Sequence, residues 1–325
     1  VTFLFKERSP ITIIWLIMLS VAVHVHFFLQ PPQVVAPLND GLLSVLLTTY
    51  IANWDQLFIT ILYHTLIISQ ALRLNYLFNE QRMFNKPTYL TAMVYVLTTA
   101  IFSQWNNLTP ALLANTIIIW LYSQIVKLYN IPNPKTLLFN IGLIIGGCIL
   151  LYHATILLVL IAIFALVVVR PFNITEWLVM LMGICTPLYF LLNFLFLTDQ
   201  WVYLRQNLPA FQLNLPDVNT NTIFFITITG ILLILMIGVY HFQDKSRRML
   251  IQVRKNWGVL LVMLLVMLPL PFISKNAALD SLLLWCIPVS PFMANGFLFP
   301  KKHTFPLILF WFLVVLIALN NWWPL

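Results

Sequence analysis

Asp40 is the residue of this chain best placed to do chemistry. It follows Pro37, sits in Asn39-Asp40-Gly41, and directly precedes a short apolar stretch. A carboxylate on a loop at a bilayer surface can act as general base on an acceptor hydroxyl. The same position suits an N-cap, in which Asp accepts the free backbone N–H groups of a following helix. Asp55, Asp199, Asp217 and Asp280 fall with Asp40 on one side of the apolar runs, and Glu7, Glu80, Glu176 and Asp244 on the other. None lies deep within a run, whereas proton- and ion-coupled transporters usually carry ionisable residues near the midplane. Arg205 and Lys275 are the basic residues on Asp40's side. With Asp217 they are candidates to hold a phosphate or a bridging cation.

The remaining reactive residue types point to no second chemistry. His24 and His26 are two apart, and residues so spaced do not share a helix face; His64, His153, His241 and His303 are scattered. No His-Glu-x-x-His and no Cys/His cluster is present, so neither a metal nor another cofactor is expected. Cys148, Cys185 and Cys286 lie within apolar runs without Cys-x-x-Cys spacing and read as small buried residues. Gly142, Gly146 and Gly147 form a small-residue packing face, not a nucleotide loop.

The scaffold that must hold these residues is a membrane bundle. Of 325 residues, 61% are hydrophobic and only 8% charged, against about 25% charged in a soluble domain. Fifteen of the seventeen Lys and Arg residues fall in alternate gaps between the apolar runs, leaving Arg205 and Lys275 opposite. Basic residues in short loops stay cytoplasmic. The reading is an all-α, polytopic bundle of about eleven transmembrane helices, with the N-terminus cytoplasmic, the C-terminus outside, and one membrane domain over 1–325. The net charge of +8 belongs to the cytoplasmic loops, so nucleic acid is not an expected partner.

Helices are expected near 10–29, 56–73, 88–105, 109–129, 136–153, 154–170, 177–198, 222–242, 257–274, 281–299 and 304–322. The fifth and sixth must be separate, since joining them would invert every later loop. Residues 41–52 read as an interfacial helix on the outer surface, and 199–221 as an outer loop with one helical turn. Pro187, Pro269, Pro271, Pro288 and Pro291 interrupt spans, and such breaks free backbone carbonyls. On the cytoplasmic side, Arg170 and Glu176 frame the hairpin RPFNITEW, each matched to a helix dipole, with Asn173 or Thr175 as cap. That hairpin, and Arg247, Arg248, Arg254 and Lys255 in the densest basic loop, are candidate contacts for lipid phosphate or a partner.

The stretches FLFKERSPITIIWL, NLTPALLANTIIIWLYSQIVKLYNIPNPK and above all RPFNITEWLVMLMGICTPLYFLL resemble an uncharacterised family of bacterial polytopic inner-membrane proteins. Its members often carry the label beta-carotene 15,15'-monooxygenase. The specific marks are Arg170-Pro171-Phe172, Glu176-Trp177, Gly183 and Pro187, and the resemblance covers residues 1 to about 200 best. Oxidative carotenoid cleavage needs iron held by several convergent histidines, which these spacings do not offer. The layout of the first half is also similar to membrane glycosyltransferases that use polyprenyl-phosphate sugars, with an interfacial helix and an aspartate on the first outer loop. Those enzymes often pair two carboxylates, whereas Asp40 stands alone in the sequence.

These observations lead first to a non-catalytic inner-membrane subunit of a cell-envelope complex, in secretion, translocation or envelope assembly, partnered by membrane lipids and other envelope proteins. The alternative is a glycosyltransferase-like enzyme acting on a polyprenyl-phosphate sugar at the outer face, with Asp40 as base and Asp55, Arg205, Asp217 and Lys275 as outer-face candidates. A third reading is a transporter or flippase built on the breaks at Pro187, Pro269 and Pro288.

Overall fold

The computed structural model describes residues 2–7, 9–36, 40–129, 131–171, 173–206, 222–246, 248–273, 278–300, 302 and 304–322. Within them the apolar runs are helices: α1 (Ile11–Val23), α2 (Val45–Tyr50), α3 (Gln56–Glu80), α4 (Leu90–Thr99), α5 (Pro110–Lys127), α6 (Lys135–Leu151), α7 (Leu158–Val169), α8 (Ile174–Leu197), α9 (Trp201–Gln206), α10 (Thr222–Ser246), α11 (Ile251–Met267), α12 (Leu270–Ile273), α13 (Ala278–Leu282), α14 (Cys286–Leu298) and α15 (Thr304–Trp322). Eleven of these have seven or more residues.

Among the described residues six segments are long and apolar enough to cross a membrane: 56–80, 174–197, 222–246, 251–272, 279–298 and 304–322. Their outward faces carry large apolar side chains, among them Phe190 and Phe194 on α8, Met236 and Tyr240 on α10, and Trp311 on α15. Water would not tolerate so much exposed apolar surface; lipid does. The chain is therefore a multi-pass membrane protein by helix length and composition.

About eleven spanning helices are expected; eleven helices of seven or more residues are found among the described residues, and several of them are shorter than a bilayer. Every residue of α4 is buried, and ten residues rise only about 15 Å. This helix is enclosed by protein and need not match lipid thickness. Helix α1 ends at Val23 and continues as a 3-10 turn, Val25–Phe28. The split between the fifth and sixth apolar runs is real: Tyr152 is extended (φ −145°, ψ 109°) and His153–Leu157 forms a 3-10 turn.

Local signals explain the starts. Thr109 Oγ1 accepts the Leu112 N–H ahead of Pro110 at the first turn of α5. Asn173, the expected cap, accepts the Thr175 N–H at α8. Of the stretch expected to be interfacial, Val45–Tyr50 forms α2, and of the stretch expected as an outer loop, Trp201–Gln206 forms α9. Residues 207–221 lie outside the described residues.

Two packing devices hold the bundle. At the basic end, Trp257 packs against Phe78, Phe84, Phe242 and Phe292, with ring centroids 4.7–5.8 Å apart. This ties together α3, α10, α11 and α14. Helices α6 and α8 meet backbone to backbone. A Cβ on Gly142 would collide with the Met180 carbonyl, and one on Gly183 with the Phe139 carbonyl. Gly147, one turn beyond, has open space around it. Gly183→Val should therefore cost about 1–3 kcal/mol or more through overpacking, seen as a lower unfolding midpoint and a smaller monodisperse fraction. Gly147→Ala should be neutral or mildly stabilising, since Ala is the better helix former. Equal tolerance of both changes would rule out the close approach.

Candidate functional site

The first loop does not use Asp40 as an N-cap. Helix α2 begins after Ser44, and no side chain caps it. Residues 40–44 instead dock on the C-terminal end of α6. The Leu43 N–H donates to the Leu150 carbonyl (2.9 Å), the His153 N–H donates to the Asp40 carbonyl (2.6 Å), and a Cβ on Gly41 would strike the Leu151 carbonyl. Only glycine permits that approach. Ser44 Oγ donates to the Gly41 carbonyl (2.6 Å), and the Tyr203 hydroxyl from α9 donates to the Leu42 carbonyl (2.6 Å).

This docking carries Asp40 inward. The residue is 6% exposed, and its Oδ2 is buried without a hydrogen-bond partner among the described residues. Burial, and secondarily the charge of Asp280, pushes its carboxyl up to about 7. Asp280, from α13, is the partner that sequence spacing did not reveal, since 240 positions separate the two. Both carboxylates act electrostatically on the buried Tyr152 phenol, whose oxygen also lacks a hydrogen-bond partner. The reading of Asp40 as a solitary carboxylate is thus corrected: the fold assembles a pair of aspartates over the α6–α7 junction. Two acids in one poorly solvated place disfavour each other's ionisation. At neutral pH Asp40 can both accept and release a proton.

A second polar cluster lies at the end of α1. The chain leaves the α-helix at His24, so the two-residue spacing of His24 and His26 no longer sends them to different faces. His24 and His64 rings approach to 5.3 Å, and His24 and His26 to 5.9 Å. Tyr63 OH contacts His24 Nε2 (3.3 Å), Ser20 Oγ contacts His64 Nδ1 (3.0 Å), and the Asn106 amide contacts His26 Nε2 (3.0 Å) and donates to Asn321 Oδ1 (2.6 Å). This convergence was missed because a helix was assumed through residue 29. Among the described residues, no three or more His, Cys, Asp or Glu side chains are grouped to hold a metal ion. His26, Asn106 and Asn321 form one wall of a cleft of about 420 Å³.

The other candidates separate. Asp55 is exposed at the start of α3, where an anion suits the helix dipole. Arg205 falls in α9 with its side chain outside the described residues, as are Asp217, Lys275 and Arg247. Arg248 and Arg254 are exposed. Lys255 donates to the Val169 carbonyl (3.2 Å) and stands over the Tyr129 ring. Arg170 turns inward, pairing with Glu176 (3.2 Å) and donating to the carbonyls of Leu128 (3.2 Å) and Ile131 (2.6 Å). The cavity beside that ion pair is only about 60 Å³.

Residues 34–321 match the family model described as "Family of unknown function (DUF6427)", and the chain belongs to that family. No curated protein and no solved structure matches it.

Proposed function

We propose that this protein is a membrane enzyme that transfers a sugar from a polyprenyl-phosphate carrier, with Asp40 as the general base. The supporting observation is the Asp40 carboxyl itself, buried, unpartnered at Oδ2 and pushed up to about 7 beside Asp280. In the step proposed, the acceptor hydroxyl gives its proton to Asp40 while its oxygen bonds to the anomeric carbon. The bond from that carbon to the phosphate oxygen breaks, and polyprenyl phosphate leaves with the electron pair. Arg205 and Lys275, the basic residues assigned to that side of the membrane, are the proposed partners of the phosphate. The charge distribution supports a bacterial inner membrane location with the N-terminus and basic loops cytoplasmic and Asp40 outside.

The subunit reading keeps one observation in its favour: Asp40 Oδ2 is enclosed, so an acceptor must displace part of the 40–44 segment to reach it. A direct assay separates the two. The purified protein in nanodiscs is given a radiolabelled polyprenyl-phosphate hexose, and transfer to water or an added glycan acceptor is followed from pH 5 to 9. The enzyme reading expects turnover that rises to a plateau as pH passes about 7, where Asp40 loses its proton. Absence of turnover, together with a stoichiometric membrane partner in a native pull-down, would establish the subunit reading instead.

A further inference from the structure

The cleft beside His26 lies at the same end of the bundle as Asp40, on the chain leading into it, yet shares none of the residues around the aspartate pair. We infer that this cleft is a binding site for a neutral saccharide ring. Its floor is buried and polar. The Asn106 side-chain N–H₂ faces both His26 Nε2 and Asn321 Oδ1, so His26 Nε2 is the acceptor and its ring proton sits on Nδ1. That Nδ1 is buried and has no partner, in a residue only 6% exposed. That nitrogen is enclosed, so the groups left to meet a ligand oxygen are the neutral amides and hydroxyl that open on the cleft.

The rim supplies matching chemistry. Gln30, Gln33 and Ser103 are exposed, and Asn107 is half-buried, its Oδ1 accepting the Gln33 N–H (3.0 Å). Amides and hydroxyls both donate and accept, as vicinal sugar hydroxyls do. Among the described residues no Lys, Arg, Asp or Glu lines the cleft, so a phosphate or carboxylate group would find no counter-charge there and would lose solvation without return. Phe27, buried against His24 and His26, adds an apolar surface for the C–H face of a ring. Ligand pockets of about 300–1,000 Å³ are the common range, and 420 Å³ holds one or two hexose rings.

This inference does not depend on Asp40 being a base. Calorimetric titration of the full chain in nanodiscs with methyl α-mannoside, methyl α-glucoside, methyl β-galactoside and N-acetylglucosamine, with inorganic phosphate as control, tests it. At least one sugar should bind at about millimolar strength or tighter, while phosphate does not. Gln33→Ala and Ser103→Val, on the exposed rim, and Asn106→Ala in the floor should each weaken binding by roughly three- to tenfold, the loss of one or two neutral hydrogen bonds. Asp40→Asn should bind like the parent, which separates failure of this site from failure of the transferase reading. No binding by any of the sugars, stronger binding of phosphate, or affinities untouched by both rim variants would overturn the assignment.

Discussion

Replacing Asp40 with Asn should lower the proposed sugar transfer by about 10²–10⁴-fold, the usual contribution of a positioned general base, and at the same time should make the protein more stable above neutral pH. The two effects share one cause. The Asp40 carboxyl stands near 7 in the folded protein instead of the ordinary 3.8, so the folded state holds its proton more tightly than the unfolded state does. Between about pH 4 and pH 7 the unfolded chain has fewer protons bound, and stability falls as pH rises. The stability from this group is complete below about pH 4 and gone above about pH 7. A rise from 3.8 to about 7 corresponds to about 4 kcal/mol.

Asn has nearly the shape of Asp and cannot ionise. The parent's unfolding midpoint should drop between pH 5 and pH 8, and the Asp40→Asn variant should be flatter across that window and higher at its alkaline end. Thermal unfolding in one detergent, followed at several pH values, reads this directly. A purely structural Asp40, stabilised as a carboxylate, would give the opposite slope and a variant weaker at pH 8. Because loss of activity comes with a gain in stability, misfolding cannot account for it. The proposed base becomes competent in the same pH range in which its burial is least favourable. Functional sites characteristically retain such local instability.

The helices were legible because their signal is long and repeated. Apolar runs bounded by Pro, Asn and basic residues gave Gln56, Pro110, Thr222 and Thr304 as starts within a residue or two of the structure. What the pattern obscured was the interruption of a run that stays apolar. Helix α1 leaves α geometry at His24 without a Gly or Pro, and that departure gathers three histidines that helical spacing would scatter. Asp40 was legible as a chemical candidate, since NDG before an apolar stretch is a local feature. Its partner was not. Asp280 reaches it through tertiary packing between segments 240 positions apart, and nothing in either neighbourhood encodes the other. Nor did composition reveal that α4 is wholly enclosed; its Thr91, Thr98 and Thr99 are the only mark, and threonine is also common on lipid-facing helices.

Arg170→Ala should be the most damaging change at the basic end, at about 3–5 kcal/mol, the usual result of removing one partner of a buried ion pair. The guanidinium makes three hydrogen bonds through Nη1 and Nη2 and an ion-pair contact through Nε. Its Nε and Nη2 face Glu176 (3.2 and 3.3 Å), and its Nη1 donates to Leu128 and Ile131 at the close of α5. The two side chains are only 15% and 10% exposed. Alanine would leave a carboxylate and two carbonyls without donors. Lysine should not rescue, because a single ammonium cannot bridge a carboxylate in two-point fashion and reach two carbonyls as well. Glu176→Gln should cost less, since Arg170 keeps its carbonyl contacts and the amide oxygen still accepts. Arg170→Met combined with Glu176→Leu should recover much of the loss, as apolar replacement of both members of a buried pair often does. Unfolding midpoints of the four variants at one pH test the ordering. With Arg170 held by α5 and α8, exposed cations at the basic end, Arg248 and Arg254 among them, are the candidates for anionic headgroups. Neutralising those two should weaken binding to anionic vesicles without lowering the unfolding midpoint. If Arg170→Ala abolished vesicle binding but left stability unchanged, the guanidinium would be a headgroup ligand and not the clasp between the α5–α6 connection and the α7–α8 hairpin.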